Sequence, residues 1–246
     1  MGELIAVLSG KGGTGKTSVC AGIAVALASQ GKQVLCVDCD VGLRNLDISL
    51  GMSDSSTLSF LDVSEGGYSL QQAARHSAYP TLSLLTAPMN RPIEQIDPKA
   101  FAEFLRQARQ FYDYVFLDAP AGVDAGFRLV SQAADSFLLV TGAGPAAVRD
   151  AARVADLLEI MGKRQVKLIV NRVEKALLKT VRITIDDVMD TAGLPLIGVV
   201  LEDPNVILAA SFGKSVLQYA RRCDAARAFH RISQRIQGYH EPMKLK

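Results

Sequence analysis

Short apolar runs alternate with longer segments of helical composition from one end of the chain to the other. The runs are Leu4–Leu8, Val34–Val37, Leu82–Leu85, Tyr114–Leu117, Ser136–Val140, Val166–Val170 and Leu196–Val200. Each is nearly continuous in apolarity, as strands buried on both faces are. The segments predicted as helices are Gly15–Ser29, Leu70–Arg75, Pro98–Gln110, Ala125–Ala134, Ala146–Met161, Thr184–Ala192, Val206–Phe212 and Asp224–Ile236. Strands alternating with helices predict an α/β fold, a doubly wound and mainly parallel sheet flanked by helices in three layers. Its site belongs at the carboxyl ends of the strands. Asp54 to Gly67 is the least regular stretch, where surface loops and short helices are expected. No repeat, low-complexity tract or Pro/Gly linker divides the chain. One domain is expected over residues 1–238, with a short polar tail at 239–246.

Composition narrows this picture only a little. At 246 residues the chain can bury a sizeable core, and 49% hydrophobic with 21% charged residues are globular values. A net charge of +2 does not decide for or against nucleic acid. No run approaches the roughly 18 apolar residues of a spanning helix, and Met1 leads into a strand without a signal region. A cytoplasmic location is expected. Gly2 is followed at position 6 by Ala rather than Ser or Thr, so myristoylation is set aside. Cys36 and Cys39 form a CxxC, but within a strand, where residues three apart face opposite sides. With no second pair to complete a zinc site, they read as small core residues rather than a redox or metal-cluster centre.

The chemistry concentrates after the first strand, in Ser9-Gly10-Lys11-Gly12-Gly13-Thr14-Gly15-Lys16-Thr17. Strand, glycine-rich loop and helix together make the setting of a phosphate-binding loop. The glycines let backbone N–H groups approach phosphate oxygens, and the helix beginning near Lys16 adds its positive end. Lys16 is placed to reach the β- and γ-phosphates, and the Thr17 hydroxyl to ligate Mg²⁺. The nucleotide-binding set is therefore Gly10, Lys11, Gly12, Gly13, Thr14, Gly15, Lys16, Thr17 and Ser18. The earlier Lys11 supplies a further cation to phosphate, in its own subunit or a partner's.

Two further strand ends carry acids. The second predicted strand closes in Asp38-Cys39-Asp40, where a carboxylate beside a phosphate loop can orient and deprotonate the attacking water. The run Tyr114–Leu117 ends in Asp118-Ala119-Pro120-Ala121-Gly122, the Walker B arrangement in which the carboxylate holds Mg²⁺. After Val170 come Asn171 and Arg172, an amide with donor and acceptor and a guanidinium able to stack on a base.

KGGTGKT resembles the deviant Walker A motif of the ParA/MinD family of ATPases, and VDCDVGLRNLDISLG resembles the switch I region of its MinD branch. The resemblance spans essentially Met1 to Gln237, and DAPAG fits the family's DxPAG. It implies ATP and Mg²⁺ as cofactors and a nucleotide-sandwich homodimer in which Lys11 crosses to the other subunit's phosphates. It also implies Asp40 as the catalytic, water-activating residue and Asp38, with Thr17 and Asp118, at the metal. By the same match Asn171 and Arg172 meet the adenine, and Leu201-Glu202-Asp203 line the base, with Leu201 standing where the family often has Pro.

The tail departs from that pattern. Relatives of the MinD branch end in a short amphipathic membrane segment, whereas 238–246 is too short and too polar for one. Ala225, Phe229, Ile232 and Ile236 instead mark the apolar face of a helix packed on the sheet. Arg221, Arg222, Arg227, Arg231, Arg235, Lys244 and Lys246 leave open a basic patch for an anionic membrane or DNA. The expected function is a slow, partner-stimulated ATPase that works as a dimerisation switch in division-site placement, with a protein activator or cargo. The alternative is a ParA-like partitioning or polar-localisation ATPase acting on DNA or a protein landmark. An iron–sulfur carrier on the same fold needs cysteines beyond the Walker B strand, and none stands between Cys39 and Cys223.

Overall fold

The computed structural model describes residues 1–53, 55, 57–89, 91–174 and 184–243. Its strands are β1 (Glu3–Leu8), β2 (Val34–Asp38), β3 (Ala74–Arg75), β4 (Leu82–Leu85), β5 (Tyr114–Asp118), β6 (Ser136–Thr141), β7 (Val166–Val173) and β8 (Leu196–Leu201). The helices among the described residues are α1 (Lys16–Ala28), α2 (Leu46–Leu50), α3 (Phe60–Ser64), α4 (Pro98–Ala108), α5 (Ala125–Ala133) and α6 (Pro145–Ile160). They continue with α7 (Ile185–Ala192), α8 (Pro204–Ser211), α9 (Val216–Tyr219) and α10 (Asp224–Ile236). Among the described residues, one sheet in the order β3-β4-β2-β5-β1-β6-β7-β8 collects the strands, and their pairings are parallel except β3 with β4. The doubly wound α/β expectation is met. No helix among the described residues is long and apolar enough to cross a membrane.

The strands are apolar on both faces because both faces are covered. Leu4, Ala6 and Leu8 of β1 point into a core closed by α3 to α7, while Ile5 and Val7 point into a second core under α1, α2 and α8 to α10. Cys36 and Cys39 obey the same alternation: Cys36 lies in the second core and Cys39 in the first, both fully buried thiols. Helix α1 is apolar all round, with the sheet on one side and α10 on the other. Gly22 makes that contact possible, since a Cβ there would sit 2.3 Å from the Phe229 ring. Gly198 does the same for Ile232 against β8.

Several boundaries shift for identifiable reasons. The stretch Leu70–Arg75 is not one helix. A Ser69–Gln72 capping box starts a single 3₁₀ turn, and Ala74–Arg75 then pair antiparallel with Ser83–Leu84. Strand β7 runs through Asn171 and Arg172 to Val173 instead of ending at Val170. Helix α8 begins earlier, at Pro204, because Asp203 caps it. The short α2 and α9 had no periodic signal. Along α10 the predicted apolar face packs inward, with Arg227 exposed and ion-paired to Asp224. Arg235 is not part of a solvated basic face. Its guanidinium donates to the carbonyls of Ile197, Glu241 and Pro242, holding the chain after α10 against β8. Lys244 and Lys246 lie outside the described residues, as do Asp54 and Ser56 of the irregular stretch.

Candidate functional site

With β1 between β5 and β6, the loop after β1 emerges at the centre of the sheet's carboxyl edge, where the strand order reverses. Ser9 to Gly15 join β1 to α1. Gly15 takes the helix N-cap position at φ 81°, and Gly13 has φ 82° with open space where a Cβ would be. Gly10 sits so close to the α6 backbone that a Cβ would lie 2.6 Å from the Asp150 carbonyl oxygen. Gly122, after the Walker B strand, donates its N–H to the Ser9 carbonyl at 3.0 Å. Lys11, Gly12 and Gly13 are exposed at the rim.

Lys16 is buried and its ammonium donates to Asp118 Oδ1 at 2.5 Å, with Thr17 Oγ1 at 3.4 Å. Burial alone would lower the lysine pKa, but the charge and hydrogen bond of Asp118 outweigh it, so Lys16 is held above its ordinary value. Asp38 and Asp118 are register partners on β2 and β5, both 1% exposed. Burial first, then the Asp118 charge, push the Asp38 carboxyl up to about 7, against the pull of N–H groups from Asp40 and Leu46. Lys16 pairs with Asp118 and its charge also acts on Asp38, so two facing buried carboxylates lie near one ammonium, an arrangement that favours a further cation or a retained proton. Two carboxylates and a threonine hydroxyl fit a Mg²⁺ that takes its other ligands from phosphate and water. The Thr14 hydroxyl is buried and has no hydrogen-bond partner among the described residues, as a phosphate-binding loop permits. Asp40 is half-buried, and its Oδ1 accepts from the N–H groups of Gly42 and Leu43.

Behind the loop lies a cavity of about 130 Å³ lined by Gly15, Ser18, Asn171, Arg172, Glu202, Asp203 and Ile207, among others. Asn171 Nδ2 donates to the Thr14 carbonyl at 2.8 Å. Arg172 donates to the Gly13 carbonyl at 3.1 Å and forks onto Glu202 at 3.0 and 3.2 Å. The Asp203 carboxylate is turned to its own backbone neighbourhood, accepting from Asn205 and from the N–H of Ala225 at the start of α10. The expected phosphate, metal and base residues thus converge on one edge of the sheet, with Lys11 at its exposed margin. Leu46 was missed. It is buried at the start of α2, and its N–H donates to Asp38, tying that helix to the buried carboxylate.

The profile of the CobQ/CobB/MinD/ParA nucleotide binding domain (CbiA) matches residues 5–216. The chain belongs to this family. It is a P-loop nucleotide-binding protein of the ParA/MinD type. It is 34% identical over 244 residues to the septum site-determining protein MinD of Synechocystis sp., covering 98% of this chain and 92% of that protein. The MinC:MinD cell division protein complex of Aquifex aeolicus superposes with a TM-score of 0.91, at 33% identity and 98% coverage of both chains. The septum site-determining protein MinD of Pyrococcus horikoshii, complexed with Mg-ADP, gives 0.83 at 28% identity and 96% coverage of both.

Proposed function

We propose that the chain, as one nucleotide-binding domain over 1–238, is an ATP-hydrolysing dimerisation switch in division-site placement. Similarity to septum site-determining proteins over nearly the whole length supports the cellular role. The observation that carries the biochemical role is the division of labour between two loop lysines: Lys16 buried against Asp118, Lys11 exposed at the rim. A buried lysine serves its own subunit's phosphates. An exposed one beside the same phosphates is free to serve a second copy's. Helix α8, which lines the cavity, and α2, which packs on α8, carry exposed Ile48, Ile207 and Leu208, uncovered apolar surface of the kind an ATP-bound partner copy would bury.

In this reading the backbone of Gly10 to Gly15 cradles the phosphates, with Thr14 and Ser18 lining the loop and the helix start. Lys16 leaves Asp118 for the β- and γ-phosphates, and Thr17, Asp38 and Asp118 take the metal side. Mg²⁺, when bound, neutralises developing charge on the transferred phosphoryl group. Asp40 orients the attacking water and receives its proton, and Lys11 stabilises the transition state across the dimer. Asn171 and Arg172, with the Leu201-Glu202-Asp203 segment, hold the adenine. Hydrolysis is slow and stimulated by a protein partner; the relative solved with MinC supports a partner of that kind. The exposed Arg221, Arg222 and Arg227 favour a second, ParA-like partitioning or polar-localisation reading in which DNA or a protein landmark is the target. Under the first reading the same patch serves an anionic membrane.

The test is sedimentation velocity with Mg²⁺ and a non-hydrolysable ATP analogue, with ADP, and with Lys11→Ala. The wild type should dimerise only with the analogue, and Lys11→Ala should bind nucleotide yet remain a monomer. A monomeric wild type in both states would overturn the switch. Adding duplex DNA or anionic vesicles to the dimer separates the two cellular readings.

A further inference from the structure

We infer that Asn171 and Arg172 are positioning residues that set the phosphate-binding face of the loop, whatever they contribute to the base. The inference rests on reading that loop as a triphosphate site. The two side chains, more than 150 residues away in sequence, take consecutive carbonyls of the loop: Arg172 that of Gly13, Asn171 that of Thr14. In a trans peptide the C=O and the following N–H point in opposite directions. Fixing the Gly13 carbonyl toward β7 therefore turns the Thr14 N–H away from β7, and fixing the Thr14 carbonyl does the same for the Gly15 N–H. These are donors that the phosphates need on the opposite side of the loop.

The local backbone is built for that reach. Between Val170 and Val173, three steps along β7 match two along β8, from Val199 to Leu201, so β7 carries one extra residue there. Such a bulge re-aims side chains at the end of a strand. Arg172 within it has φ 57°, a left-handed conformation that a non-glycine residue seldom adopts without constraint. The constraint is visible in its guanidinium, bound to Gly13 on one side and to Glu202 on the other. Gly15 is shaped to the same contact, since a Cβ there would lie 2.3 Å from Asn171 Nδ2. The clamp is made of protein groups alone, Asn171 and Arg172 on the loop and Glu202 behind them, so the loop it sets serves a bare polyphosphate as well as a nucleotide.

The experiment titrates Mg-ATP and Mg-tripolyphosphate, which has no base, into the wild type, Asn171→Ala, Asn171→Asp and Arg172→Ala. Amide exchange of Thr14 and Gly15 is followed in the nucleotide-free proteins, with β1 and β5 amides reporting that each variant is folded. The wild type should bind both ligands. Each variant should lose about tenfold in tripolyphosphate affinity, the scale of one hydrogen bond, and exchange the loop amides faster by a similar factor. A role confined to the base would lower ATP affinity alone and leave tripolyphosphate binding and loop exchange as in the wild type, overturning the inference. A wild type that binds ATP but not tripolyphosphate would also overturn it. Failure to bind either ligand would instead overturn the triphosphate reading.

Discussion

Asp38→Asn should make the nucleotide-free protein more stable, and more so at high pH. Asp38 lies 1% exposed opposite Asp118, with its carboxyl raised from an ordinary 3.8 to about 7. A group raised in the folded state adds stability that is complete below its unfolded value and is lost as pH climbs to the folded one. The loss runs at about 1.4 kcal/mol per pH unit between these two values and stops above 7, reaching about 4 kcal/mol. At pH 5 it has cost about 2 kcal/mol. Asparagine escapes this, but presents an amide N–H to one of the two backbone donors, Asp40 or Leu46, that Asp38 now accepts. That clash costs about 1–3 kcal/mol at every pH. Near pH 5 the two effects cancel, and at pH 8 the variant leads by about 1–3 kcal/mol. Urea unfolding of both proteins at pH 5, 6, 7 and 8 gives the comparison directly. Parallel stability curves would show that Asp38 is ionised throughout, refuting the shared-charge account of the site.

Other consequences follow from single contacts. Gly15→Ala adds a Cβ 2.3 Å from Asn171 Nδ2 at φ 81°, so calorimetry should find Mg-ATP binding weakened by about tenfold or more, with the far-UV spectrum kept. His76 is buried with Nε2–H donating to the Leu50 carbonyl and Nδ1 accepting from the Ala78 and Tyr79 N–H groups, and burial lowers its pKa from 6.5. Its depressed value means stability present above 6.5 and lost as pH falls below it. His76→Gln should flatten that part of the acid limb in thermal melts.

The fold was legible because continuous apolarity and regular alternation are properties of local sequence, and a parallel sheet covered on both sides needs both. The loop, the Asp38–Asp40 pair and Asp118 were legible for a related reason: each sits where a strand ends, and strand ends were readable. What escaped depends on distant contacts. Ala74–Arg75 has helix-compatible residues, yet pairing with Ser83–Leu84 decides its form. The Lys16–Asp118 ion pair and the approach of Gly10 to Asp150 need the folded sheet to exist before they can be seen. In the sequence, Asn171 and Arg172 stand out for their base-reading chemistry. Their hold on Gly13 and Thr14 arises from a bulge that no propensity marks.

The most direct test of the central claim, that this loop binds Mg-ATP through Lys16, is calorimetric titration of ATP into the wild type and Lys16→Ala, with and without Mg²⁺. The account predicts one Mg²⁺-dependent site per chain in the wild type. In the variant, affinity should fall by about a hundredfold or more, the scale of a lost charge-assisted contact to phosphate. Equal affinity of the two proteins for ATP would contradict it.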